Sequence, residues 1–280
     1  MNLWNKIPSI IRGIIIGILI QVIGVMPTSF LIQQNIKILP SFPWALLVGV
    51  LYLLIYWKFL TGKGLFSRPS EMRMNLSRTQ KLEPRAIKFM VVCGFFLSIS
   101  VIALVFIGYL LTEMPLQRVE MLTTLKTIPI WTSLALIFMA SLAAGVVEEL
   151  AWRGYAQRTI ELKHSAILAI SIVALVFTII HFLPLPVWPL FFLGSIAWGF
   201  LAYYSNSIIP GIIFHTIIDL SVFVWAMFNL EKLKSILLYN VFEDGINSFF
   251  LTLIFIAVVS LILTIFSLIK LKRTKAYNTK

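Results

Sequence analysis

Three short segments of the 280-residue sequence carry residues whose types and spacing can do chemistry. SLAAGVVEELAWRGYAQ holds Glu148, Glu149 and Arg153, ALVFTIIHFLP holds Phe177 and His181, and GIIFHTIIDLSVFVW holds His215 and Asp219. All three are otherwise apolar. If they lie in a membrane, each ionisable group costs at least about 2.5–3.5 kcal/mol to insert, so its presence needs a functional reason. Read as helices, the groups sort by face. Glu149 and Arg153 are four apart and pair along one face, whereas Glu148 is turned about 100° from Glu149 and lacks a local cation. That division makes Glu149 with Arg153 a supporting ion pair and leaves Glu148 for chemistry. His215 and Asp219 are also four apart, which lets Asp219 accept a hydrogen bond from the imidazole and fix its tautomer. Phe177 and His181 repeat the spacing. A carboxylate and an imidazole in a water-excluding site can bind and deprotonate one water, the minimal equipment for hydrolysing an amide. The same groups also suit a metal site or a proton pathway, and the residues alone leave these open.

The elements that must hold these groups are written in the composition. Sixty per cent of the residues are hydrophobic, only 12% are charged, and the mean hydropathy is +0.97. A soluble domain is about 45–50% apolar and about 25% charged. Eight apolar runs approach bilayer length, at about 13–34, 43–60, 88–112, 129–151, 166–182, 187–204, 207–229 and 248–269. None alternates as a barrel strand would. The expectation is an all-α, polytopic membrane bundle of about eight transmembrane helices, forming a single domain over 1–280. The first run follows Lys6 and Arg12 but has no small-residue cleavage site, so it reads as a retained helix. A single cysteine, Cys93, excludes a disulfide scaffold.

The net charge of +12 is explained by orientation rather than by nucleic acid. With the N-terminus inside, segments 1–12, 58–88, 153–164 and 270–280 carry 18 basic residues and the opposite loops carry 5, among them Arg118. This places both termini in the cytoplasm. The segment 58–88, with eight of these residues, reads as a positive-inside determinant. Of the eleven acids, Glu71, Glu83, Glu113, Glu120, Glu161, Glu231, Glu243 and Asp244 fall in loops or at helix ends, and His164 sits in a polar turn.

Glu148 and His181 are equidistant from the turn at Lys163, His164 and Ser165. Each is about 16–17 residues, or about 25 Å, from it, so the two face each other across antiparallel helices. His215 fits less easily. It lies five residues beyond Pro210, near the inner end of its span, while His181 lies at the outer end of its own. Straight full-length helices would separate the two imidazoles in depth by more than about 10 Å. Tilt, a re-entrant stretch around Pro184, Pro186 and Pro189, or a long fourth helix is needed to bring them together.

Glu148-Glu149-x-x-x-Arg153, Phe177-x-x-x-His181 and His215-x-x-x-Asp219, in this order on membrane helices, resemble the CAAX protease and bacteriocin-processing (CPBP, Abi) family of intramembrane proteases, in its prokaryotic type. The likeness covers about residues 129–229. It implies an intramembrane endopeptidase in which Glu148 and His181 activate water, His215 with Asp219 stabilises the oxyanion, and Glu149 with Arg153 supports the site. It implies a peptide or membrane-protein substrate, prenylated where prenylation exists, in the plasma membrane of a prokaryote. Family members are often described as metalloproteases, and Glu148, His181 and His215 could supply three zinc ligands. The sequence lacks His-Glu-x-x-His, and the favoured reading requires no cofactor. The bacterial relatives also suggest a non-proteolytic bacteriocin-immunity or membrane-partner role on the same scaffold.

Overall fold

A computed structural model describes residues 6–64, 68–112 and 117–277. Glu113 and the side chain of Arg118 lie outside the described residues, as does the end of the 270–280 segment. The chain is a helix bundle: α1 (Ser9–Ile38), α2 (Trp44–Leu60), α3 (Glu71–Ser77), α4 (Pro84–Leu110), α5 (Gln117–Lys126), α6 (Ile130–Glu161), α7 (Ala166–Ile179), α8 (Trp188–Ser205), α9 (Ile209–Phe228), α10 (Leu230–Leu237), α11 (Val241–Asp244) and α12 (Ser248–Tyr277). All eight apolar runs are helical. Helices α1, α4, α6, α9 and α12, and α8 with the 3₁₀ turn before it, are long and apolar enough to cross a membrane. Helices α2 and α7 are equally apolar but have only 17 and 14 residues. In lipid, backbone polar groups must be satisfied within the segment, which is why these runs are helices.

Helices have no hydrophobic reason to associate in lipid, so close packing through small residues carries the interfaces. On α1, a Cβ at Gly13 would lie 2.9 Å from the carbonyl oxygen of Ala156, one at Gly17 would meet the Trp152 ring at 3.0 Å, and one at Gly24 would meet Val147 at 2.4 Å. Helix α1 thereby lies flush against α6, and Trp152, fully buried, donates its indole N–H to Gln21 of α1. On the other flank α12 runs along α4, with a hydrogen bond of 2.9 Å between the buried hydroxyls of Ser100 and Ser260.

The segment between α2 and α4, read as a positive-inside determinant, also has a packing role. Helix α3 starts at Ser70, whose hydroxyl accepts from Arg73 N (3.4 Å), and stops at Arg78, which takes a left-handed conformation with φ 55°. Arg78 is 1% exposed and ion-paired with Glu161 at the end of α6. Its Nη1 donates to the Arg153 carbonyl (3.4 Å) and its own carbonyl accepts from Ile208 N (3.0 Å) just before α9. Thr79 forms an isolated antiparallel bridge with Ser207. Burial lowers the Arg78 guanidinium from its usual value, opposed by the Glu161 carboxylate. Arg78 is thus a buried clamp on the ends of α6 and α9, and Glu161, at the helix end as expected, is its partner. Isolated charges are seldom buried unless paired, and removing one partner costs about 3–5 kcal/mol. Arg78→Ala should therefore lower the melting temperature in detergent and the yield of folded protein. Lys81→Ala, at an exposed position of the same segment, should change stability by no more than about 0.5 kcal/mol.

Candidate active site

Helix α6 changes its winding at the double glutamate. It is α-helical from Ile130 to Glu148, π-helical from Glu149 to Ala156, and α-helical again to Glu161. A π segment closes i→i+5 hydrogen bonds, is rare, and is frequent at functional sites. Here it turns Glu148 and Glu149 to different neighbours. Glu149 is completely buried, and its Oε1 meets Arg153 Nη1 at 3.3 Å and His215 Nδ1 at 3.2 Å. Glu148 projects into a cavity, and no hydrogen bond reaches its buried Oε2.

The Glu149–Arg153 pair forms as the spacing predicts, and it has more partners than the spacing could show. Arg153 Nη2 donates to Ser195 Oγ of α8 (3.2 Å), and its guanidinium lies 4.2 Å from the centre of the Phe177 ring. A desolvated cation over an aromatic face gains about 2 kcal/mol. Phe177 therefore has a task of its own. It has a second one through its backbone. Helix α7 ends at Ile179, and the amide of His181 bonds to Thr178 O (3.3 Å) instead of continuing the α ladder. That leaves the Phe177 carbonyl among the unpaired acceptors of a helix end, and His181 Nδ1 takes it at 2.6 Å. A carbonyl can only accept, so Nδ1 carries the hydrogen and, in the neutral ring, Nε2 presents its lone pair. The Phe-x-x-x-His spacing is that of a side chain bonding back to the carbonyl four residues earlier.

Glu148 Oε2 lies 4.0 Å from His181 Nε2 and 3.8 Å from His215 Nε2. The two imidazoles share one carboxylate oxygen, so the separation in depth expected of full-length spans is absent. Its cause lies in α6 and α7. Helix α6, at 32 residues, is about 48 Å long, while α7, at 14 residues, is about 21 Å, so His181 lies level with the middle of α6 rather than with its start. The level placement of Glu148 and His181 follows the turn arithmetic.

His215 is held otherwise than its helical spacing suggested. Asp219 Oδ2 is 3.7 Å from His215 Nε2, beyond hydrogen-bond range, and the hydrogen bond to the ring is made by Glu149, 66 positions away. Packing makes this approach feasible. A Cβ on Gly211 would lie 2.6 Å from Glu149 Oε2, and one on Gly145 would lie 2.3 Å from Thr216 Oγ1 and 3.0 Å from the Ile212 carbonyl. The two glycines let α6 and α9 touch where His215 meets Glu149. The Trp198 ring lies nearly parallel to His215, at 22° and 6.4 Å between centres, and Phe191 packs against His181 at 4.7 Å.

Ser195, Phe191, Trp198 and Gly211 are contacts that a search for ionisable groups passes over. Gly211 alone had a signal, since it stands four residues before His215 and so on the same face of its helix. A zinc ion takes nitrogen and oxygen ligands at about 2.0–2.2 Å. The Glu148 oxygen lies 4.0 Å and 3.8 Å from the two imidazole nitrogens, and among the described residues no three His, Cys, Asp or Glu side chains are drawn together as a formed metal cluster.

The site thus consists of a buried carboxylate without a hydrogen bond on one oxygen, two imidazoles aimed at that oxygen, and an ion pair that fixes one imidazole. Such a set is able to bind and polarise one water molecule. Residues 129–221 match the family model described as Rce1-like, type II CAAX prenyl endopeptidase. The matched segment runs from the start of α6 to just past Asp219, so it contains all three motifs. This match, over about a third of the chain, makes the segment similar to the CAAX protease family and supports a membrane endopeptidase in general terms. No curated protein and no solved structure matches the chain.

Two substitutions separate the supporting network from the reacting groups. Arg153→Met leaves the buried Glu149 carboxylate without its guanidinium and with only the His215 ring beside it, and should cost about 3–5 kcal/mol with a matching loss of folded protein in the membrane. Gly211→Ala forces the Glu149 carboxylate aside at a cost of about 1–3 kcal/mol. It should reduce hydrolytic turnover much more than the amount of folded protein, as read by fluorescence-detected gel filtration and a cleavage assay.

Proposed function

We infer that the protein is an intramembrane endopeptidase that cleaves a membrane-proximal peptide bond with water activated by Glu148 and His181. The observation that carries this reading is the 4.0 Å gap between Glu148 Oε2 and His181 Nε2. Both atoms accept, and acceptors at this separation can each take one hydrogen of a single water at about 2.8 Å, leaving a water lone pair for attack. Glu148 removes a proton as the water oxygen bonds to the peptide carbonyl carbon. The carbonyl oxygen becomes an oxyanion beside His215, which in its doubly protonated form donates from Nε2 while Glu149 holds Nδ1–H. Asp219 stands on the same side of the ring and balances the imidazolium charge. The C–N bond then breaks as the leaving nitrogen takes the proton from Glu148, which restores the carboxylate. An oxyanion donor of this kind contributes about 10²–10³-fold and a positioned base about 10²–10⁴-fold.

No step in this scheme uses a metal, and none needs a cofactor. The substrate class suggested by the family's description is the C-terminal tail of a CAAX-type protein, and the site's chemistry accommodates any peptide bond that reaches Glu148. Glu148→Gln should abolish cleavage of a membrane-proximal reporter by purified protein in detergent, and His181→Ala should reduce it at least about 10²-fold, each with normal accumulation in the membrane. A chelator should leave the wild-type rate unchanged. Wild-type cleavage by Glu148→Gln sinks the proposal, and loss of activity in chelator that zinc restores sinks its metal-free form.

A further inference from the structure

A serine within an apolar helix has a standing partner, the carbonyl four residues earlier. Ser98, Ser141 and Ser267, each buried in a span, donate to it at 2.7, 2.9 and 2.8 Å. Ser195, in the middle of α8 and only 4% exposed, is turned the other way. Its Oγ lies 3.2 Å from Arg153 Nη2. A guanidinium only donates, so Oγ accepts there and the hydroxyl hydrogen points elsewhere. Among the described residues that hydrogen has no acceptor, the Phe191 carbonyl four residues earlier included.

The register of α8 says what this hydrogen faces. Phe191, Ser195 and Trp198 stand at i, i+4 and i+7, so they form one stripe of the helix. Phe191 packs against His181 with ring centres 4.7 Å apart, and Trp198 lies over His215 at 6.4 Å. Ser195 therefore sits between the two residues that back the two imidazoles. It lines the same cavity of about 490 Å³ as Glu148, His181 and His215, and it is the one hydroxyl that α8 brings there. The contact with Arg153 also changes its chemistry. A cation beside the oxygen polarises the O–H bond, and in a site of low dielectric this makes the hydroxyl a stronger donor than a serine on an apolar wall. Such a donor suits an oxygen that becomes negative.

We propose that Ser195 is a further catalytic residue, whose hydroxyl donates a second hydrogen bond to the oxyanion beside His215. This role rests on the peptidase reading above and adds a donor to it. As the water oxygen bonds to the carbonyl carbon, the carbonyl π pair moves onto oxygen, and Ser195 meets that charge from α8 while His215 meets it from α9. The serine keeps its proton throughout and forms no bond to carbon. When the C–N bond breaks, the pair returns to the carbonyl and the hydrogen bond slackens. Arg153 then has two duties, since the cation that holds Glu149 also aims the hydroxyl of Ser195.

The test uses the purified full-length protein in detergent with a membrane-proximal peptide reporter. Ser195→Ala should lower kcat about 10²-fold and change KM by no more than about twofold. Ser195→Thr, which keeps the hydroxyl, should bring kcat back to within about tenfold of wild type. Ser141→Ala, which removes a buried hydroxyl bonded within its own helix, should leave both constants unchanged. A fluoroketone analogue of the reporter, whose hydrate copies the tetrahedral centre, should inhibit Ser195→Ala about 10²-fold less tightly than wild type. The alkene isostere of the scissile amide, which has no oxygen at that point, should inhibit both alike. If Ser195→Ala does not accumulate, Ser195→Cys, a weaker donor of similar size, replaces it with an expected loss in kcat of at least about tenfold. A kcat for Ser195→Ala within about threefold of wild type overturns the proposal. So does an equal loss in Ser195→Ala and Ser195→Thr, or an equal weakening of both analogues, since each makes Ser195 only a prop for Arg153. These results leave the peptidase reading standing, because the wild type cleaves. A wild type that cleaves no reporter overturns that reading, and the role of Ser195 falls with it.

Discussion

An ionised group inside a bilayer must find its counter-charge inside the protein, and Glu149 is where this bundle meets that demand. Its carboxylate faces Arg153 on its own helix and His215 on α9. Arg153 in turn reaches Ser195 on α8 and lies over Phe177 on α7. Four helices that supply every candidate reacting group are thus referred to one buried anion. Because a charge in this position tolerates neither exposure to lipid nor loss of its partner, the relative rotation of these helices is fixed as tightly as the ion pair itself. Glu148, one residue away, shares the precision without sharing the bonds. It keeps an oxygen free of hydrogen bonds because its neighbour has taken the cation.

Much of this arrangement was legible in the sequence, and the parts that were not have a common physical character. Apolar run length predicts the eight apolar helices among the twelve described, because lipid admits no other fold for such segments. Local spacing gave the Glu149–Arg153 pair, and residue counting from the turn at His164 set Glu148 level with His181. Spacing failed for the orienting partner of His215. Asp219 is on the correct face of the same helix, but the ring turns instead to Glu149, and the decision belongs to Gly145 and Gly211, which set how closely α6 and α9 approach. The depth of His181 is not legible from run length, because the 17-residue apolar run holds a helix of only 14 residues. Its last residues leave the helix after Ile179, where the Phe177 carbonyl is claimed by the imidazole.

Arg78 shows the same limit from the other side. In sequence it is one of eight basic residues in a polar segment, and nothing local distinguishes it from Arg73 or Lys81. In the fold it is buried against Glu161 and joined to both α6 and α9. A charge count of this kind includes residues such as Arg78 that the fold buries. The positive-inside bias survives the removal of Arg78 and Arg153 because it rests on many residues. The clamp rests on one.

The brevity of α7 bears on where the water of hydrolysis comes from. A helix of about 21 Å beside a hydrocarbon layer of about 30 Å leaves a shortfall that lipids meet by thinning. Since α7 begins at the turn shared with α6, the shortfall falls at its far end, beside His181, whose side chain is 26% exposed. A bilayer that thins to match so short a helix brings its headgroup region and water closer to the imidazole. A missing helical turn gives a hydrophobic bundle a local supply of its second substrate.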